Sequence, residues 1–125
     1  MPIRFDYDNN FIPAMPIAQI VVRHREKQVR LSALLDSGAD GTMIPRRILQ
    51  EINAPYQEQL VMRGVTGESE IVDTYLVVIE IGPYTTYGIQ AIAIGDYEEA
   101  IIGRDVMNNL VITLDGLAQE TIIAD

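Results

Sequence analysis

The chain has no cysteine and a single histidine in 125 residues. The first absence excludes a disulfide scaffold, a thiolate metal site and a cysteine nucleophile; the second excludes a multi-histidine metal cluster. Positive charge is scarce too. Lys and Arg total 9 against 18 Asp and Glu, giving a net charge of −9 and a pI of about 4.4. Phosphate backbones and anionic headgroups repel such a chain, so neither nucleic acid nor a membrane surface is an expected partner. There is no apolar run of about 18 residues and no basic-then-apolar leader, so the expectation is a soluble, unexported, cytoplasmic protein.

What is present suits one globular domain. Hydrophobic residues make up 48% and charged residues 22%, an ordinary soluble balance. At this length folding buries roughly two-thirds of the unfolded chain's surface, enough for a real core. Residues 1–16 are polar and punctuated by Pro2, Pro13 and Pro16, with Phe5, Tyr7, Phe11 and Ile12 interspersed. They read as an extended arm whose aromatics dock elsewhere, leaving 17–125 as the domain. Strands are expected over 17–22 and 29–35, joined by a charged turn. Residues 45–52 read as a short helix, with Pro45 at its start and Asn53 and Pro55 beyond its end. Strands over 60–65 and 71–81 form a long hairpin with Gly67 near its tip. The stretch 85–94 alternates, placing Tyr87, Ile89, Ala91 and Ala93 on one face. A short buried strand at 100–103, a helix at 104–110 and a hairpin of 111–114 with 117–124 close the chain. Many short strands with frequent turns and two short helices predict an all-β barrel or sandwich.

The most informative stretch is Leu34-Leu35-Asp36-Ser37-Gly38-Ala39-Asp40. An apolar strand runs directly into an acid, a hydroxyl and a glycine, which puts a carboxylate on a tight turn at the end of a buried strand. One carboxylate at neutral pH is a poor catalyst of amide hydrolysis. Two held about 3 Å apart cannot both ionise and share a proton, so one serves as base and the other as acid. The chain carries one such segment, so a second must come from another copy across a two-fold axis. Gly38 would permit close approach and a backbone conformation closed to other residues. The competing reading is a plain surface turn, since Asp, Ser and Gly dominate turns for local reasons. A distant second segment, Ile101-Ile102-Gly103-Arg104-Asp105, also ends an apolar pair in glycine and opens a helix. Arg104 could reach Asp40, or be a solvated helix-start arginine.

Together these residues resemble the retropepsin-like aspartic proteases, the single-lobe relatives of pepsin. The family's first motif is an apolar pair, Asp, Thr or Ser, Gly, Ala; its second is an apolar pair, Gly, Arg, then Asp or Asn. The resemblance covers residues 17–114 and is nearest to the short stand-alone bacterial members, which also carry a helix after the first motif and a Thr-Leu-Asp-Gly late in the chain, here 113–116. It implies an all-β closed barrel or sandwich with a flap hairpin and one or two short helices. It implies an aspartic endopeptidase, acting as a homodimer on extended peptides, with no metal and no cofactor. Asp36 is the implied catalytic residue, paired with its copy, and Ser37, Gly38, Ala39 and Asp40 complete the active-site loop. Gly64, Val65, Thr66 and Gly67 are the implied flap over the substrate, and Asp40 with Arg104 the implied structural ion pair. The flap has fewer glycines than retroviral flaps and should open less freely.

Other conspicuous groups have plainer readings. Asp96, Glu98 and Glu99 read as a solvated turn before a metal site. Glu68 and Glu70 could select basic substrate side chains, although charges on an exposed hairpin also deter edge pairing. Two further hypotheses compete with the peptidase: a non-catalytic dimeric peptide-binding module on the same fold, and an inactive monomer kept apart by its own charge at low salt.

Overall fold

The alternation at 17–24 and 27–35 becomes a hairpin of β2 (Ile17–His24) and β3 (Lys27–Leu35), with Arg25 in the left-handed region at the turn (φ 54°). The computed structural model describes residues 1–125. In β2, Ala18, Ile20 and Val22 face inward and are buried while Gln19 faces out, as a half-buried strand requires. β1 (Ile3–Asp6) precedes this hairpin. After β3 come β4 (Met43–Pro45), α1 (Arg46–Glu51), β5 (Tyr56–Arg63), β6 (Ser69–Ile81) and β7 (Tyr84–Ile94). The two-residue β8 (Ile101–Ile102), α2 (Arg104–Met107), β9 (Val111–Asp115) and β10 (Glu120–Ala124) complete the chain.

One sheet runs β2-β3-β8-β4-β7-β6-β5, and β2 also pairs with β6, so its strands close into a barrel with β5 outside the ring. The 13-residue β6 makes both pairings possible. Its second half, around Ile79, meets β2, while its first half extends past the barrel and pairs with β5. A smaller sheet, β1-β10-β9, packs Ile123 into the same core. The core is rich in isoleucine: Ile20, Ile44, Ile48, Ile79, Ile81 and Ile102 are all buried. Each such side chain contributes roughly 1.5–3 kcal/mol relative to exposure. No helix is long and apolar enough to cross a membrane.

Three local expectations change. Tyr87 does not share a face with Ile89, Ala91 and Ala93; it is 71% exposed while those three are buried. Between the pairs Val77↔Ile89 and Ile79↔Thr86 the register shifts, so Tyr87 and Gly88 both oppose Val78. This bulge, with Gly88 at φ 69°, reverses the phase of the strand. Helix α2 stops at Met107 rather than 110, and β10 begins at Glu120 rather than 117 because 116–119 form the turn. Residues 3–6 pair as a strand with β10, and Phe5 packs against the core.

Candidate active site

The site begins where two apolar pairs lie side by side. Leu34-Leu35 of β3 runs parallel to Ile101-Ile102 of β8, and the Leu34 N–H donates to the Ala100 carbonyl at 2.9 Å. The Asp36 N–H donates to the Ile102 carbonyl at 3.0 Å, the last bond of this ladder. There the chain turns. The Ala39 N–H donates to the Asp36 carbonyl at 3.1 Å, and the Gly38 N–H donates to Asp36 Oδ1 at 2.8 Å. The carboxylate is therefore oriented by its own loop, with Oδ2 free of any partner within the chain. Asp36 is half-buried and Ser37 exposed. Gly38 does not adopt a left-handed conformation, contrary to the expectation from its residue type. A Cβ there would stand 3.1 Å from Asp36 Oδ1, so a side chain at this position would crowd the carboxylate.

A second layer clamps this loop to α2. The Arg104 N–H donates to the Ala39 carbonyl at 2.9 Å and its guanidinium to the Ser37 carbonyl at 2.6 Å. The same guanidinium forms an ion pair with Asp40, whose side chain is 94% exposed. So exposed a pair contributes little to stability and serves mainly to orient the arginine. Deeper in, Thr42 is fully buried. Its hydroxyl donates to Asp105 Oδ1 at 2.8 Å and accepts from the Gly103 N–H at 3.2 Å, while its own N–H donates to Asp105 Oδ2 at 3.1 Å. Asp105 also accepts the Val106 N–H at 2.9 Å. In the sequence Asp105 stands only as a letter of the second motif, and nothing marks Thr42 beyond a hydroxyl between the acid turn and an apolar strand.

The hairpin of β5 and β6 rises over the loop. Its tip is tied by the Gly64 N–H to the Glu68 carbonyl at 2.9 Å and the Gly67 N–H to the Gly64 carbonyl at 3.0 Å. Gly67 sits at φ 84°, a conformation side-chain-bearing residues rarely adopt. Between hairpin and loop lies a hollow of about 470 Å³, lined by 38–41 on one side and 60–63 on the other, with Met43, Val72 and Ile92. The structure thus brings Gly38, Ala39 and Asp40 together with the β5 arm of the hairpin. The tip residues Gly64, Val65, Thr66 and Gly67 stand clear of this hollow and are exposed. At the hairpin's base, Arg46 donates to the Tyr75 hydroxyl at 3.1 Å and pairs with Asp73 at 3.3 Å. Asp96 accepts the Arg47 N–H at 2.9 Å at the start of α1, and Glu98 accepts the Gly95 N–H at 2.7 Å. These two acids serve backbone donors, one across the chain and one within its own turn.

The family model described as gag-polyprotein putative aspartyl protease matches residues 23–109. No curated protein matches the chain in sequence. Among solved structures, the retropepsin-like aspartic protease from Rickettsia conorii is similar with a TM-score of 0.71 at 13% identity, covering 100% of this chain and 94% of that one. EIAV protease, solved with the inhibitor HBY-793, has a TM-score of 0.56 at 18% identity, covering 76% of this chain and 86% of its own. The simian foamy virus (mac) protease has a TM-score of 0.53 at 14% identity, covering 74% and 92%. At these identities the structures establish a shared fold, and the family match across most of the chain establishes kinship. The chain belongs to the gag-polyprotein aspartyl protease family and is an aspartic-type peptidase on a retropepsin-like fold.

Proposed function

We propose that the active enzyme is a homodimer in which Asp36 of one protomer faces Asp36 of the partner subunit, the two carboxylates sharing one proton. An extended peptide lies between the acid loops and the flap hairpins, held by strand-like backbone bonds. The ionised carboxylate takes a proton from water as the water oxygen bonds to the scissile carbonyl carbon. The protonated carboxyl gives its proton to the carbonyl oxygen, forming a tetrahedral diol. The carboxyl that gained the water proton passes it to the amide nitrogen while the other carboxylate takes a proton from a diol hydroxyl. The C–N bond breaks, acid and amine leave, and the dyad again holds one proton. Ser37 hydrogen-bonds across the two-fold axis beneath the acids, and Gly38 offers its backbone to the substrate. The Asp40–Arg104 pair and Ala39 keep the loop in shape. Val65, Thr66 and Gly67, following Gly64, cover the bound peptide.

The observation that carries this reading is the orientation of Asp36. One oxygen is held by Gly38, the other is unencumbered, and the turn is clamped through Arg104. A dyad that must hold one proton gives a bell-shaped pH profile, with activity favoured in acid. The test is cleavage of a broad peptide library at several pH values by wild type and Asp36→Asn. Asparagine keeps an acceptor for the Gly38 N–H but cannot act as a base, so the fold is spared and turnover is lost. Cleavage persisting in the variant would refute the assignment.

A further inference from the structure

A hollow of about 620 Å³ opens between the flap hairpin and the 95–99 loop. It adjoins the groove beside the acid loop, and Met43, Met62 and Val72 line both. With Ile101 these residues give it an apolar floor. Its rim has a different character. Glu70 and Asp73 come from β6, and Asp96, Glu98 and Glu99 from the loop. Arg46 is the one cation in the lining, and Asp73 already engages it. Asp96 and Glu98 are partly satisfied by backbone donors. Glu70 and Glu99 are exposed, and neither side chain has an ion pair or hydrogen bond.

Five carboxylates line this apolar-floored hollow against a single, already paired arginine, which gives it a negative potential that favours a cation. A small divalent ion is a poor match, because it needs converging oxygens. No three acidic or imidazole side chains here are placed to hold a metal. A long aliphatic stem ending in a positive charge fits both halves: the stem covers Met43, Met62 and Val72 while the head reaches Glu70 and Glu99. The acidic rim would repel an acidic side chain, and a neutral one would leave its charge uncompensated. We propose that this hollow is a substrate side-chain site selecting lysine or arginine in the peptide. The proposal rests on the peptidase reading, and it gives the substrate a chemical class.

The experiment uses a peptide pool in which each position in turn carries Lys, Arg, norleucine or Glu. It is presented to wild type, to Asp36→Asn and to the double variant Glu70→Gln with Glu99→Gln. Both glutamates are exposed, so the double variant should fold, as circular dichroism would verify. At one position wild type should prefer Lys or Arg over norleucine by about tenfold in kcat/KM, with Glu disfavoured. The double variant should lose most of that ratio, and in wild type it should shrink as salt rises. Asp36-dependent cleavage with no basic preference, or a preference unchanged in the double variant, would overturn the proposal and leave the peptidase intact. Binding of the same peptides, with a hydroxyethylene unit replacing the scissile amide, is followed in parallel by fluorescence anisotropy. Tighter binding of the basic peptides that is lost in the double variant would uphold the site even if nothing is cut. No cleavage together with equal binding of all peptides would overturn both readings.

Discussion

Gly103 has an ordinary extended backbone, φ −96° and ψ −173°, so conformational freedom is not why glycine stands there. Space is the reason. A Cβ would lie 2.6 Å from both the carbonyl carbon and the oxygen of Gly41, and 3.0 Å from the Ala39 carbonyl oxygen. All of these are backbone atoms of the acid loop, and the loop is bound to α2 by the Thr42–Asp105 lock, so it cannot yield without breaking bonds. Gly103→Ala should therefore cost about 1–3 kcal/mol, seen as a lower urea midpoint at unchanged slope. Because the displaced atoms belong to the loop that carries Asp36, peptide cleavage should fall further than the loss of folded protein explains. A variant with wild-type stability and turnover would show that the loop can relax. Asp36, Gly103 and Arg104 are legible in the sequence because each follows closely on an apolar pair. The Thr42–Asp105 lock is not: its two residues are 63 apart, and nothing local marks a threonine as the acceptor of a distant glycine's N–H.

The flap hairpin is an element with little core of its own. β5 is exposed along nearly its whole length, and Leu60, Val61 and Ile71 lie on the surface. What holds the hairpin is its base. Arg46 reaches it from α1, the Thr74 hydroxyl donates to the Glu58 carbonyl at 2.8 Å, and Tyr56 meets Tyr75 edge-on with centroids 5.7 Å apart. Arg46→Met should then act locally. The Arg46–Asp73 pair is partly exposed, so global stability should change by about 1 kcal/mol or less. Amides of 56–76 should exchange faster with deuterium while those of β2 and β3 keep their protection. Uniform loss of protection across the barrel would place the arginine in the core's cooperative unit instead. This hairpin is visible in the sequence because apolar, strand-like stretches at 60–65 and 71–81 flank a polar turn that carries Gly67. The face of Tyr87 is not, because the bulge at Gly88 depends on β6 running past two partners. Periodicity counted along one strand does not register an extra residue opposite another. The pairing of residues 3–6 with the last strand is likewise set by partners at the far end of the chain.

At the scale of the whole molecule the decisive quantity is charge. Each chain carries −9, and the proposed enzyme needs two chains with their acid loops in contact. Association brings together twice that charge, and the resulting repulsion acts over the Debye length, about 30 Å at 0.01 M salt and about 3 Å at 1 M. Salt should therefore tighten the dimer, the reverse of its effect on partners of opposite sign. Acid should tighten it as well, because protonating surface carboxylates lowers the charge being assembled. Sedimentation across both variables is expected to show the largest monomer fraction at low salt and neutral pH. Specific activity should follow the dimer fraction, rising with protein concentration in dilute, low-salt solution and becoming independent of concentration at high salt. The two effects of acid separate here. Protonation of the dyad alters turnover per dimer, whereas protonation of the surface alters the number of dimers, so a concentration series at each pH distinguishes them. A chain that stays monomeric under every condition yet still cleaves peptides would rule out a shared pair of aspartates, since one protomer supplies only a single Asp-Ser-Gly turn.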